Sequence, residues 1–539
     1  MKKVGIYLNY PPQMKFKQEG LGRLLANIIK GGTQNDYLYV IACPSWLKKN
    51  LRELLTEEQI DLSKIRFIGP KNLPFSLQLY EFLINFKPKK NRNILKVWSH
   101  KLKELKSRCI GIILAMDWLE IILTNLLLIL IISSGLYFFS WFKFFLIFIF
   151  IIFLLKSINK KLANKIVNNN IHYLTKIKSN LFNIKQNFSF YEMYESLSSV
   201  ESKKILNAIS KEKDVLVWFS PTAFWPEFNK IQGAKIMVVP DVVLESFPVG
   251  FAKVMNKVHE KNLDKIRTAI SNCDYFITYS EEVKYCVLVD RFHKIDKNVK
   301  VIKHGWINLE EFIDFKIKRD LKLAQKEWSI KLTQALAVSY LYKNFNHVPC
   351  NEFKYIFYSS QARPNKNIHN LIKVFSSLVH NNFITHKLIL TCKPTENILN
   401  LVESQDLIGK VVFTPGATQM ELALLFSGAD IAVNPSLSEG GFPFTFSEAL
   451  SVDTPIVMSD IAVTREVLDT FPFSKRMLFD PLDLNDIKVK LLDCIENKKL
   501  FLNNQKVIAD SLKKRTWKDV AKEYNDFFEK IFNEVGDRN

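Results

Sequence analysis

"LSEGGFPFTFSEALSVDTPIV", residues 437–457, places two glutamates, Glu439 and Glu448, on either side of a bend made of glycine and proline. It follows the β-rich run "DIAVNPS", which puts Glu439 in the loop after a strand, beside the backbone amides of Gly440, Gly441 and Phe442. Carboxylates at such a place can accept paired hydrogen bonds from the vicinal hydroxyls of a ribose or hexose ring. Thr445 and Glu448 have the spacing of a capping box, so Glu448 also has a purely structural reading. Working outward, residues 354–481 show the runs "KYIFYSS", "HKLILTC", "KVVFTPG", "DIAVNPS", "TPIVMSD" and "MLF" between helical patterns. Between the first two, Ile368, Leu371, Ile372, Phe375, Leu378 and Val379 recur at the spacing of one helix face. Strand, helix, strand in this order means parallel strands with right-handed crossovers, a doubly wound sheet.

The N-terminal part repeats the pattern with "VGIYLN", "YLYVIAC", "VLVWFS", "KIMVVPD", "DYFITYS" and "VKVIKHG". The fold class expected is therefore α/β, with two Rossmann-like domains facing a cleft. Ligands of such sheets bind at the carboxyl ends of the strands.

Two further stretches sit at strand ends. "SSQARPNKNIHNLI", residues 359–372, sets Arg363 and Lys366 just before a helix, where cations and unpaired N–H groups together suit a diphosphate. A helix start with two exposed cations is the plainer alternative. "KQEGLGRLLANIIKGG", residues 17–32, follows the opening strand. Its Gly20 and Gly22 allow close backbone approach, with Arg23 beside them, although a glycine turn into a helix would look the same.

The string "ADIAVNPSLSEGGFPFTFSEALSVDTPIVMSD" resembles the donor-binding region of retaining glycosyltransferases of family 4, which have the GT-B fold. Eight residues separate the two glutamates, one more than is usual, which resembles the mannosyl- and rhamnosyltransferase-like subgroup. "SSQARPNKNIHNLIKVF" matches the family's phosphate motif, and "CDYFITYSEEVK", "VKVIKHGWINLEEF" and "RTWKDVAKEYNDFF" match its other landmarks, the last a helix that crosses back onto the N-terminal domain. The match is dense over 354–530, patchy before that, and absent over 87–190.

The resemblance implies roles for single residues. Arg363 and Lys366 would hold the diphosphate, Glu448 the ribose, and Glu439 with Gly440, Gly441 and Phe442 the donor sugar. Gly20 and Gly22 would approach the donor from the other domain, with Arg23 and Asp241 on the acceptor side. Pro240 stands where many relatives have a histidine. The domains expected are 1–345, 346–500 and a crossing helix within 501–539. The reaction expected is retaining transfer of a hexose from a nucleotide-diphospho-sugar to a saccharide or lipid-linked saccharide, with no cofactor and no metal. An epimerase of the same fold and an inactive scaffold are the rivals.

Composition bears on partners. A net charge of +21 points to anionic partners, yet no arginine-rich cluster or nucleic-acid module stands out, so nucleic acid is not expected. The seven cysteines are scattered with no Cys-x-x-Cys pair, which argues against a zinc site or a disulfide framework. Residues 119–155 form an apolar block whose only charges are Glu120 and Lys143, flanked on both sides by lysines. Such a block suits a hairpin entering the bilayer from the cytoplasmic face, with membrane lipids as partners.

Overall fold

In a computed structural model the residues described are 2–12, 20–34, 37–78, 190–241, 243–247, 249–251, 257–313 and 354–536. They build two all-parallel sheets. The first takes β1 (Lys3–Tyr7), β2 (Leu38–Ala42), β3 (Ile65–Ile68), β4 (Val217–Ser220), β5 (Ala234–Val238), β6 (Tyr275–Thr278) and β7 (Val299–Val301) in the order β3-β2-β1-β4-β5-β6-β7. The second takes β8 (Tyr355–Tyr358), β9 (Lys387–Leu390), β10 (Val411–Phe413), β11 (Ile431–Asn434), β12 (Ile456–Ser459) and β13 (Leu478–Phe479) in the order β10-β9-β8-β11-β12-β13. Both orders reverse once, at β1/β4 and at β8/β11, and those two points are where ligand crevices form in doubly wound sheets.

The strands read as continuous apolar runs because helices cover both faces. β4 and β8 are buried at every residue. Gly5 of β1 pairs with Trp218 of β4, and a Cβ at position 5 would lie 2.2 Å from the Trp218 ring, so the glycine makes room for the largest fully buried side chain. β3 was not among the runs expected from sequence; its Arg66 is exposed at the sheet edge and breaks the apolar run.

The helices that matter for the site are α1 (Gly20–Gln34), α2 (Phe190–Ile209), α3 (Lys257–Ser271), α4 (Ile368–His380), α5 (Phe444–Leu450) and α6 (Trp517–Gly536). α4 buries Ile368, Leu371, Ile372, Phe375 and Leu378 against the second sheet, the face expected from their spacing. α6 comes last in the chain but buries Val520, Tyr524, Phe527, Phe528 and Ile531 in the core of the first sheet. Its start is held by a reciprocal pair: Thr516 N donates to Asp519 (2.8 Å), and Asp519 N donates to Thr516 Oγ1 (3.3 Å). Tyr39 Oη donates to Asn525 Oδ1 (3.0 Å), and Gly31 lets α1 approach Ala521 closely.

Among the described residues no helix is long and apolar enough to cross a membrane. The hairpin expected over 119–155, and the whole stretch 87–189, lie outside them.

Candidate active site

The site forms where the carboxyl ends of β8 and β11 face those of β5 and β6. After β8 the chain makes one tight turn, Pro364–Lys366, and Asn367 takes a left-handed conformation (φ 56°) before α4. Asn367 does not cap α4 with its side chain; its amide donates to Pro481 O at 2.8 Å. The turn is laced to the loop after β11: Leu437 N donates to Asn365 O (2.8 Å), and Asn365 Nδ2 donates to Ser438 O (3.0 Å). That lacing brings Lys366 Nζ to 2.5 Å from Glu439 Oε1, both groups about four-fifths buried. A hydrogen-bonded ion pair of this kind fixes both side chains while leaving the second carboxylate oxygen and two ammonium hydrogens for a ligand.

Lys366 and Glu439 line a cavity of about 350 Å³ together with Asp241, His304 and Glu448. Asp241 follows β5 on the opposite sheet. Burial holds its carboxyl above the ordinary carboxylate range; the Val243 N–H (3.3 Å) opposes this, the Glu439 charge adds to it, and Arg363 and Lys366 counter it. Arg363 is exposed and is not among the described lining residues, although its charge reaches Asp241. Gly20, Gly22 and Arg23 lie on the first turn of α1; Gly22 is buried and is not among the described residues that line this cavity.

The glycines of the 437–457 stretch have a reason the sequence did not reveal. A Cβ at Gly440 would stand 1.7 Å from Pro240 O, and one at Gly441 would stand 2.8 Å from Tyr279 Cβ. Ser280 Oγ also donates to Gly440 O at 2.9 Å. The glycine loop is therefore pressed against the loops after β5 and β6, closing the cavity from the other domain.

The capping-box reading of Glu448 is corrected. α5 has Pro443 at its N-cap with no side-chain cap bond, and the buried Thr445 hydroxyl accepts from Asn434 Nδ2 at 2.8 Å. Glu448 sits a turn inside the helix and lines both this cavity and a larger one of about 1020 Å³ that runs towards Trp306 and Trp517.

Sequence reasoning missed His304. Its ring lies 4.1 Å from Tyr279, 4.5 Å from Phe444 and 6.1 Å from Trp517, so it joins both domains and the start of α6. Burial, with Arg515 adding to it, lowers its pKa to about 3 and leaves a neutral imidazole in the cavity wall. The available signal was a lone histidine at a strand end in "VIKHG".

Comparison with known proteins places this geometry. Residues 343–510 match the family model described as Glycosyl transferases group 1. That segment, just under a third of the chain, matches a group 1 glycosyltransferase domain. The O-antigen chain mannosyltransferase RfbU of Salmonella typhimurium is 37% identical over 111 residues, 20% of this chain, and the match spans 29% of the length of that curated relative. Among solved structures, Anabaena HepE in complex with UDP-glucose superposes with a TM-score of 0.52 at 11% identity, covering 98% of this chain and 100% of its own. A glycosyltransferase from Rickettsia africae gives 0.51 at 12% identity, covering 98% of each chain. Sucrose-phosphate synthase from Thermosynechococcus elongatus gives 0.50 at 11%, covering 99% of this chain and 100% of its own. These likenesses fix the fold as GT-B-like, with the group 1 domain holding Lys366, Glu439 and Glu448.

Proposed function

We propose that the chain is a glycosyltransferase that moves a hexose from a nucleotide-diphospho-sugar to a saccharide or lipid-linked saccharide, with retention at the sugar carbon. The observation that carries this reading is the Lys366–Glu439 pair at the β8/β11 crevice, in one cavity with Glu448 and Asp241. Glu448 would hold the ribose and Glu439 the donor sugar, aided by the amides of Gly440 to Phe442. Lys366, with the exposed Arg363 and the N-terminus of α4, would neutralise the diphosphate.

In the reaction the bond from sugar carbon to diphosphate oxygen breaks, and the electron pair leaves with the diphosphate. An acceptor hydroxyl attacks the same face, and its proton passes to a phosphate oxygen. Preorganised cations at the departing oxygen are then the largest catalytic contribution. No metal or cofactor is assigned a step, because a lysine, an arginine and a helix end already oppose the charge that develops.

RfbU is described as an O-antigen chain mannosyltransferase, which supports mannose as the first donor sugar to try and surface polysaccharide as the product class. We place the reaction at the cytoplasmic face of the membrane, through the apolar run 119–155 and the excess of lysine, which attracts acidic headgroups at about 1 kcal/mol per residue near the surface. A panel of nucleotide-sugars incubated with the protein and a membrane extract, followed by analysis of the product's anomeric configuration, tests the proposal. Transfer with retention supports it. Inversion removes the mechanism, and release of an epimerised nucleotide-sugar without transfer removes the function.

A further inference from the structure

The loop after β6 is held from across the cleft. Past Thr278, Tyr279 and Ser280 lead into a helical turn that starts at Glu281 and continues as the π-helical segment Val283–Val289. The first N–H groups of a helix have no partner inside it and need one from outside. Val283 N donates to Ser280 Oγ at 3.2 Å. Glu281 N and Glu282 N donate to Glu466 Oε2 at 3.1 Å and to Glu466 Oε1 at 2.7 Å. Glu466 belongs to the second domain, on the short helix Ala462–Leu468 that follows β12. Ser280 Oγ donates onwards to Gly440 O, so all three N–H groups end on the second domain, two directly and one through a hydroxyl.

A carboxylate suits this place better than a neutral group. Its two oxygens meet two adjacent donors at once, and such charge-assisted bonds are roughly twice as strong as neutral ones. Glu282 does not compete: its side chain makes no cap bond and accepts from Cys286 Sγ at 3.3 Å instead. Lys303 of the first domain lies 3.9 Å from Glu466 Oε2 and adds to the attraction. Glu281 is exposed, so water can take the place of the carboxylate when the loops part, and the contact can form and break with the cleft. Glu466 is not among the described residues that line the cavity of Lys366 and Glu439, whereas Tyr279, Gly440 and Gly441 are.

We propose that Glu466 is a positioning residue for donor binding. It does not touch the donor; it caps the turn at 281–283, which keeps Tyr279 and Ser280 pressed against Gly441 and Gly440 and so keeps the cavity closed. The inference rests on the glycosyl-transfer reading and deepens it. A protein whose binding-competent form is only partly populated binds its ligand more weakly in proportion, and saturating ligand restores that form. Loss of Glu466 therefore weakens nucleotide binding and spares the chemical step, the reverse of the expectation for Lys366.

Calorimetric titration of UDP and GDP, with kcat for the active nucleotide-sugar, tests this on the full chain in the wild type, Glu466→Gln and Glu466→Ala. We expect Kd to rise about three- to tenfold in Glu466→Ala, with kcat within about twofold of the wild type. Glu466→Gln keeps one acceptor oxygen and should fall between; it decides the matter alone should thermal unfolding show that the alanine variant does not fold. Ser280→Ala should raise Kd as well, and the double variant should lose less than the two effects combined, since both act through one turn. Hydrogen exchange at Val283 and Lys284, whose acceptors lie in Ser280 and not in Glu466, should quicken about tenfold in Glu466→Ala without ligand. Unchanged exchange, an unchanged Kd, or a fall in kcat as large as the rise in Kd would overturn the assignment. A wild type that binds neither UDP nor GDP would instead remove the donor reading, and this inference with it, so the two failures are told apart.

Discussion

Pro240 and Gly440 meet so closely across the cleft that a Cβ on residue 440 would stand 1.7 Å from the Pro240 carbonyl oxygen. Both contacting groups are backbone, so no side-chain rotation can relieve the overlap. Gly440→Ala therefore has to part the two loops and widen the cavity they close. Because neither hydrophobic core is touched, thermal unfolding should change little. Turnover of the nucleotide-sugar should fall about a hundredfold, the usual cost of a displacement near 1 Å in an active site. Unaltered turnover would show that the loops need not touch for catalysis.

His304 makes the protein acid-sensitive. Folded, its pKa is lowered to about 3, and in the unfolded chain it returns to the ordinary 6.5. Below pH 6.5 the unfolded state therefore takes up a proton that the folded state refuses. Stability is lost as pH falls from about 6.5 towards 3, by about 2 kcal/mol on reaching pH 5. Urea unfolding of the wild type and His304→Gln at pH 7 and pH 5 should show that much less pH dependence in the variant.

Phe528 of α6 is fully buried and packs 5.4 Å from Phe219 of β4, although about 300 residues of chain separate them. Phe528→Ala should cost about 3–5 kcal/mol, seen as a drop in the unfolding midpoint. A cost below 1 kcal/mol would mean that the terminal helix does not belong to the first core.

The apolar run 119–155 predicts a fractionation result. The full chain should sediment with membranes, and deletion of these residues should release the folded enzyme to the supernatant. A wild type found wholly in the supernatant would remove the membrane part of the proposal.

Much of the second sheet was legible because each of its strands is a short apolar run ending in a turn, and α4 displays one apolar face at regular spacing. β3 was missed because an edge strand can carry an exposed Arg66. Glu448 was misread because local spacing suggested a cap, whereas Thr445 is committed to Asn434, a partner eleven residues earlier in the chain. Asp453 has φ 60°, a left-handed conformation that aspartate tolerates and that local sequence does not announce, and it pairs with Lys506 at 2.7 Å. For His304 the sequence offers only its place at a strand end, since Tyr279, Phe444 and Trp517 reach it from three distant segments. The same holds for the glycines at 440 and 441: the sequence suggests space for a ligand, but the space is partly filled by Pro240 and Tyr279.

Lys366, held by Glu439, is proposed to neutralise a departing nucleoside diphosphate. This is tested most directly by kcat for transfer from the active nucleotide-sugar, measured for the wild type and Lys366→Ala at matched folded concentration. Lys366→Ala should lose about a hundred- to a thousandfold, with little change in the unfolding midpoint. Equal kcat in the two proteins would contradict it.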